Sequence, residues 1–328
     1  MSAPPPVLVE VVRSGFVEGH HRGSVVALDA DGTVVLSAGD VEAPVFPRSA
    51  NKPLQAVGLL GAGLGAVLDE AVLADAGNDA LLAVVASSHS GEPMHVELVA
   101  RLLALEGRCS AELQCPPALP IDEVAAQALL AGGGQPDRIH MNCSGKHAGM
   151  LVACVRSGWL TPTYRRADHP LQRAIRATVE RLAGEPVAAA GVDHCGAPLF
   201  ALPLTAMARA YARLVMADPG SDERRVANAM RAHPDVVGGT GRAVTALMAR
   251  VPGLLAKDGA EGVFAAALPD GRAVAVKIDD GANRASAPVL VAALAALGVD
   301  VSGLAGVATP VLYGGGQPVG QVRALPLA

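Results

Sequence analysis

The apolar residues of this chain follow a strand-like period near both ends and a helical period between them, which limits the folds that it can adopt. Alternation predicts strands at 7–12, 24–28, 33–37, 262–268, 272–278 and 319–325. Two turns that contain glycine, at 29–33 and 268–272, predict hairpins. We therefore expect one antiparallel sheet that is formed by both termini.

The middle of the chain has the spacing of amphipathic helices. It predicts helices at 52–68, 92–106, 122–130, 145–157, 170–182, 204–215, 222–232 and 243–249, and the same spacing returns at 287–297. We predict an α+β fold that forms a single domain over 1–328. Its sheet layer would come from about 7–48 and 255–328, and its mostly helical insertion from about 49–254.

Composition excludes several classes of function. Hydrophobic residues make up 51% of the chain but aromatic residues only 2%, so stacking platforms for nucleic acid are not expected. The net charge of -5 gives no general attraction to phosphate or to anionic lipid. Five cysteines in a large chain predict reduced thiols rather than disulfide bonds. The sequence contains no apolar run long enough to predict a membrane-spanning helix. We expect a cytoplasmic protein with neither nucleic-acid nor membrane partners.

Ser49 and Lys52 form a Ser-x-x-Lys pattern at the start of an apolar helical segment. Residues three apart on a helix share a face, so the lysine amine would lie where it can take the serine proton. Serine acyltransferases use this pattern to make a nucleophile without histidine. The same spacing also occurs between solvated neighbours on ordinary helices, so the pattern needs support from the rest of the chain.

Two polar segments combine cysteine with other metal-binding side chains. The segment 142–150 places Cys143 and Lys146 at a predicted helix start, where the helix dipole favours a thiolate. The segment 192–198 contains an Asp-His-Cys run that ends at Cys195. The two thiols would suit one zinc ion, and they would equally suit buried structural cysteines.

Two further loops carry polar groups of possible use in catalysis. The loop 86–95 has three serines and two histidines directly after an apolar run. Lys257 and Gly259 precede the strand 262–268, at the position where Ser-x-x-Lys enzymes of the penicillin-recognising type carry a second lysine. Both loops also read as ordinary structure, since Ser90 is a good helix N-cap and Lys-Asp-Gly is a common turn.

Together these segments resemble the L-asparaginase II family of the Rhizobium etli type. The resemblance runs in order from about Val11 to Leu325 and is carried by Pro-Arg-Ser-x-x-Lys-Pro-x-Gln at 47–55, Ser-His-Ser-Gly-Glu-Pro at 88–93, Asn-Cys-Ser-Gly-Lys-His at 142–147, Asp-x-Cys-Gly-x-Pro at 193–198 and Lys-x-Gly-Ala-Glu-Gly at 257–262. The segment 74–79 looks like an insertion. The resemblance implies a fold similar to serine β-lactamases and glutaminases, hydrolysis of L-asparagine to L-aspartate and ammonia, and a homodimer.

The resemblance also implies roles for individual residues. Ser49 with Lys52 looks like one catalytic pair and Ser88 with Lys257 like a second, in which two neighbouring cations repel so that one amine can be neutral. We expect Ser49 to be acylated and Ser88 to relay its proton. Zinc would be bound by Cys143, Lys146 and Cys195, and the substrate by Arg48, His89, Glu92, Asn142, His147, Asp193 and Gly259.

Two other interpretations remain open on the sequence. A β-lactamase or a glutaminase of the same fold would share the Ser-x-x-Lys pattern but would have no need for the cysteine and lysine group. A non-catalytic zinc-binding protein would use the thiols for metal, and Ser49 would then be only a helix cap. Preference for asparagine over glutamine depends on about one methylene of pocket depth, which no motif determines.

Overall fold

The computed structural model describes residues 4–72 and 78–327, so most of the insertion predicted at 74–79 lies outside the described residues. The strands are β1 Val7–Arg13, β2 Phe16–Leu28, β3 Val34–Ala38, β4 Ala189–Val192, β5 Pro198–Ala201, β6 Leu255–Gly259, β7 Val263–Ala267, β8 Ala273–Ile278, β9 Val311–Gly314 and β10 Gln317–Ala324. The α-helices are α1 Lys52–Leu59, α2 Gly65–Val72, α3 Asn78–Val85, α4 Pro93–Ala104, α5 Glu123–Ala131, α6 Ser144–Arg156, α7 Pro170–Ala183, α8 Leu204–Met216, α9 Asp222–Ala232, α10 Pro234–Val237, α11 Ala243–Arg250, α12 Asn283–Ala296 and α13 Ala305–Ala308.

The chain divides into two compact units. The sheet unit consists of Met1–Ala50, Ala201–Met216 and Ala246–Ala328, and the helical unit of Asn51–Phe200 and Ala217–Thr245. Helix α8 and the end of α11 lie in the sheet unit, although both fall within the predicted helical middle. The single domain over 1–328 stays a prediction.

The sheet unit contains an antiparallel sheet made from both ends of the chain. Within the described residues it has eight strands in the order β6-β7-β8-β2-β1-β10-β9, with β3 also paired to β2. The N-terminal strand β1 pairs with β2 and with the C-terminal β10, so strands from the two ends of the chain lie side by side in the sheet. The α+β class and the sheet formed by both termini are therefore confirmed.

Strands β7 and β8 are neighbours in the sheet and are packed on both faces. All five residues of β7 and five of the six residues of β8 are buried. Helices α8 and α12 both pack against these strands, and they bring alanine, valine and leucine to the core. Small side chains on both faces explain how a chain that is poor in aromatic residues fills this layer.

The helical unit is built around α6, whose residues from Ser144 to Cys154 are all buried. Helix α6 packs against α4 and α3, while α1 packs against α7. The run Arg48–Ala71 is apolar and long enough, by length and composition alone, to cross a membrane, but 61% of its most apolar window is buried inside the protein. Buried core helices of soluble proteins have the same character, and this run contains α1.

Three differences from the predicted elements have physical reasons. The helix predicted at 52–68 is interrupted at 60–64, where Gly63 adopts a φ of 105° that ends regular helix. Strand β9 was not predicted, because it is four residues long and leads into a glycine turn. The segment 257–259 was not predicted as a strand, because Lys-Asp-Gly is typical of turns, yet it is part of β6 and pairs with β7.

Gly259 lets the chain before α1 approach β6 closely. A Cβ atom at this position would meet the carbonyl oxygen of Pro47 well inside van der Waals distance, and the Ala50 nitrogen at 3.2 Å. The glycine of the Lys-x-Gly motif is therefore required by this contact with segment 47–50. That segment contains Ser49.

Gly259→Ala is expected to destabilise the protein by about 1–3 kcal/mol, because the added methyl group must displace the 47–50 backbone. Gly19→Ala in β2 is the matched control, since a Cβ there has no neighbour within 4 Å. Urea unfolding of both variants measures the difference. Equal stability of the two variants would contradict the close approach.

Candidate functional site

Ser49 lies in a short 3-10 turn, Arg48–Asn51, that leads into α1. Arg48 has a φ of 52°, an unusual value for a residue with a side chain, and its guanidinium lies 3.7 Å from the Glu261 carboxylate. On the other side, the buried Tyr211 hydroxyl of α8 donates to the Ala50 carbonyl at 2.6 Å. The sheet unit thus holds the Ser49 turn from both β6 and α8.

Lys257 lies in β6 next to the strand glycine that contacts the Ser49 turn. Its side chain is fully buried, and its amine donates to the carbonyl and to the carboxylate of Asp258. Within the sheet unit, the structure therefore brings Ser49, Lys257 and Gly259 into one region around β6. The amine of this lysine is held by a neighbouring carboxylate rather than left in an apolar environment.

Lys52 is the first residue of α1, and its amine is buried in the helical unit. The amine contacts three oxygens: the Ser88 hydroxyl at 3.1 Å, the Ser87 carbonyl at 2.5 Å and the Asn142 carbonyl at 3.3 Å. Ser87 and Ser88 belong to the loop after α3, and Asn142 precedes α6. Two separate segments therefore converge on this one amine of α1.

The Lys52 amine donates to the Ser88 hydroxyl as well as to the two carbonyls. Carbonyl oxygens only accept hydrogen bonds, so two N–H groups of the amine are directed to Ser87 and Asn142. The amine and the Ser88 hydroxyl are in direct contact, which is the geometry that a proton transfer between them would need.

His89 fixes the loop that carries Ser88. Its Nδ1 accepts from the Gly91 backbone N–H at 3.2 Å. Its Nε2 lies 2.8 Å from the Ser144 hydroxyl, which already donates to the Ile139 carbonyl and so accepts from the histidine. These bonds require a neutral imidazole with its proton on Nε2, and burial lowers the pKa of His89 well below its usual value in agreement.

The other end of this loop is held by Glu92. Both of its carboxylate oxygens accept from Thr240, one from the backbone N–H and one from the hydroxyl, each at 2.8 Å. Ser90 donates to the neighbouring Gly238 carbonyl at 2.8 Å. Glu92 and Ser90 therefore attach the Ser88 loop to segment 238–240.

Cys143 and Cys195 form a buried thiol cluster with Lys146 in the helical unit. Lys146 donates to the Cys195 sulfur at 3.2 Å. A hydrogen bond from the Cys143 thiol, with the Lys146 charge, strongly lowers the pKa of Cys195, while that shared proton and burial raise the pKa of Cys143. Burial opposes the charge on Lys146, but the Cys195 thiolate outweighs it and raises the pKa of Lys146.

His147 joins this cluster to the buried Tyr164. Gln114 donates its backbone N–H to the Tyr164 oxygen at 3.0 Å, so the phenol proton is directed to His147 Nδ1 at 2.6 Å. Burial lowers the pKa of His147, which keeps the ring neutral with its proton on Nε2. The nearby His147 ring helps to lower the pKa of the Cys195 thiol.

The donor atoms of the thiol cluster decide whether it could bind zinc. Among the described residues, no three His, Cys, Asp or Glu side chains are arranged to hold a metal ion. The cluster supplies two sulfurs of suitable softness and one amine. Lys146 binds a metal only after it loses its proton, which the Cys195 thiolate opposes. The donor types therefore fit zinc. Zinc could bind Lys146 only by displacing the proton of its amine.

Sequence reasoning identified most polar residues of these regions but missed three supporting ones. Tyr211 and Tyr164 lie in apolar helical or turn sequences without any motif, so only the fold shows what they hold. Asn51 is fully buried, and in the described part of the chain neither atom of its amide has a hydrogen-bond partner. Its position between Ser49 and Lys52 was the only signal available. The predicted substrate ligand Asp193 contributes negative charge near Lys146.

Stability is expected to fall as the pH decreases below about 6.5, the unfolded pKa of histidine. Burial lowers the pKa of both His89 and His95 in the folded protein, so the unfolded chain binds more protons below that pH. Each imidazole contributes up to about 1.4 kcal/mol per pH unit. Urea unfolding of His89→Gln should show a shallower pH slope, while the exposed His20→Gln control should keep it; equal slopes would contradict the burial argument.

The comparisons with known proteins address the family directly. The family model for L-asparaginase II matches residues 9–324, which is nearly the whole chain. A comparison with curated proteins gives no match. The match confirms the family inferred from the motifs and, with it, an asparaginase activity on a small-molecule amide. The chain belongs to the L-asparaginase II family and is an amidohydrolase.

Proposed function

We propose that this asparaginase hydrolyses L-asparagine to L-aspartate and ammonia through an acyl-enzyme formed on Ser88, with Lys52 as the base. The observation that carries the proposal is the 3.1 Å contact between the Lys52 amine and the Ser88 hydroxyl, beside two carbonyls that only accept. An amide is unreactive, so its hydrolysis needs an activated nucleophile and a proton for the leaving nitrogen. This pair supplies both.

In the proposed mechanism the reactive form has a neutral Lys52 amine, whose two N–H groups donate to the Ser87 and Asn142 carbonyls and whose lone pair faces the Ser88 hydroxyl. The Ser88 oxygen attacks the side-chain amide carbon while its proton passes to this amine. Lys52 returns the proton to the amide nitrogen, the carbon–nitrogen bond breaks, and ammonia leaves. Water then gives a proton to Lys52, attacks the ester, and releases aspartate as the proton returns to Ser88.

Ser49 is the second candidate for the acylated residue. The Ser-x-x-Lys pattern favours it, with Ser88 as a proton relay, and its turn has the strained φ of Arg48 that is common at functional positions. The Lys52–Ser88 contact favours Ser88 instead. Arg48, His89, Glu92, Asn142, His147, Asp193 and Gly259 remain proposed substrate-binding or supporting residues.

Ser88→Ala and Lys52→Met are each expected to lower kcat by a factor of about 10³–10⁴, because each removes one half of the same proton-transfer pair. The double variant should be little worse than either single variant. Ser37→Ala is the control and should keep full activity, because Ser37 is an exposed serine of β3 in the sheet unit. Ammonia release from L-asparagine is the assay, with L-glutamine and a β-lactam tested alongside.

Two results would overturn this assignment. Full activity of Ser88→Ala combined with loss in Ser49→Ala would move the nucleophile to Ser49. Opening of the β-lactam without ammonia release from asparagine would favour a different acyl-transfer enzyme of the same fold. A fold similar to serine β-lactamases is itself part of the proposal, supported by the antiparallel sheet from both termini and by α8 and α12 packed on it.

Zinc is the proposed cofactor, with Cys143, Lys146 and Cys195 as its ligands. When bound, the ion would supply a positive charge that braces the cluster or orients a polar group of the substrate. The side chains around it have separate tasks: Tyr164 orients His147, and the His147 ring helps to lower the pKa of the Cys195 thiol. A homodimer and a cytoplasmic location stay predictions of the family resemblance and the composition.

Metal analysis of the purified protein tests the zinc proposal. We expect about one zinc per chain, and Cys143→Ser and Cys195→Ser should each lose it, since each removes a thiolate ligand. Cys154→Ala is the control, because Cys154 lies in the same helix and burial alone raises its pKa to about 12. Zinc retained in both ligand variants, or absent from the wild type, would contradict the assignment.

A further inference from the structure

An open cavity of about 390 Å³ lies in the helical unit and has no part in the proposed chemistry. Its walls include Glu112, Gln114, Arg138, Leu151, Pro162 and Arg165. A volume of this size is at the lower end for small-molecule sites and suits a ligand of a few carbon atoms.

The side chains that line this cavity carry a net positive charge. Glu112 is its one acidic lining residue, and its carboxylate is paired with Arg108 at 3.2 Å and accepts from the Cys109 backbone N–H. Arg138 and Arg165 therefore face the cavity without a carboxylate partner among the described residues. Two such cations in a half-buried wall repel each other, and a bound anion would relieve that repulsion.

Both guanidiniums are held in place by one hydrogen bond to a neutral acceptor. Arg138 donates from Nη1 to the Cys115 carbonyl, and Arg165 donates from Nε to the Gln114 side-chain oxygen at 2.8 Å. Gln114 in turn donates to the Pro162 carbonyl at 3.0 Å. Most of the five N–H groups of each guanidinium therefore stay available on a pre-positioned side chain.

The Arg165 guanidinium lies against the backbone at Gly196. A Cβ atom there would overlap the Arg165 Nη1, and Gly196 has a φ of 83° that favours glycine. The guanidinium lies over the backbone next to Cys195, so the cavity is a neighbour of the thiol cluster.

We propose that this cavity is a binding site for a small oxyanion, in which Arg138 and Arg165 bind the oxygens of a carboxylate or a phosphate. Guanidinium forks match the geometry of both groups and form paired, charge-assisted hydrogen bonds with them. A dicarboxylate metabolite and free phosphate share this chemistry. The proposal does not depend on the identity of the nucleophile, since neither arginine belongs to the proposed catalytic pair.

The test is isothermal titration of the wild-type protein with succinate and, separately, with inorganic phosphate. We expect binding of one of them with a Kd of about 1 mM or tighter, weakening as salt increases. Arg165→Gln and Arg138→Gln should each weaken it by about tenfold or more. Arg166→Gln is the matched control, because Arg166 is the next residue but is exposed and pairs with Asp168 outside this cavity.

The outcomes separate the proposal from its alternatives. Succinate binding alone assigns the site to dicarboxylates, and phosphate binding alone assigns it to inorganic oxyanions. Binding that is unchanged in both glutamine variants lies elsewhere and overturns the proposal, as does no binding of either probe. If a glutamine variant unfolds, Arg138→Lys keeps the charge but loses the fork, and unchanged affinity in that folded variant would likewise overturn it.

Discussion

The helical unit depends on how it satisfies one buried amine. Lys52 lies at the start of α1 with almost no exposed surface, and a buried amine without hydrogen-bond partners would be very unfavourable. The Ser87 and Asn142 carbonyls and the Ser88 hydroxyl surround it. The loop after α3 and the segment before α6 must therefore keep their positions for α1 to be buried, so the interaction that supports folding also sets the proposed chemistry.

The start of α6 links this amine to the thiol cluster. Asn142 directs its carbonyl to Lys52, and the next residue, Cys143, belongs to the thiol cluster with Cys195. Ser144 accepts from His89 and so steadies the Ser88 loop as well. Within a few residues of one buried helix start, the chain contacts the proposed base, the loop of the proposed nucleophile and the proposed metal ligands.

Sequence reasoning predicted the sheet and most helices because alternation and helical spacing directly reflect burial on one face. It failed where burial was not periodic, as for β6, whose Lys-Asp-Gly is typical of a turn and becomes a strand through pairing with β7. Motifs selected Lys52, Ser88 and Cys195 as candidate site residues. They could not show that Lys52 contacts Ser88, nor that Tyr211 and Tyr164 hold the neighbouring groups, because those contacts join segments far apart in the chain.

The most direct test of this account is to identify the residue that carries the acyl group during turnover. Rapid acid quenching of the enzyme with saturating L-asparagine, followed by peptide mass spectrometry, would locate an aspartyl ester. The account predicts that ester on the peptide segment that contains Ser88, and its absence in Lys52→Met. An aspartyl ester on Ser49, or steady turnover without any acylated peptide, would contradict the central claim that Lys52 activates Ser88 as the nucleophile.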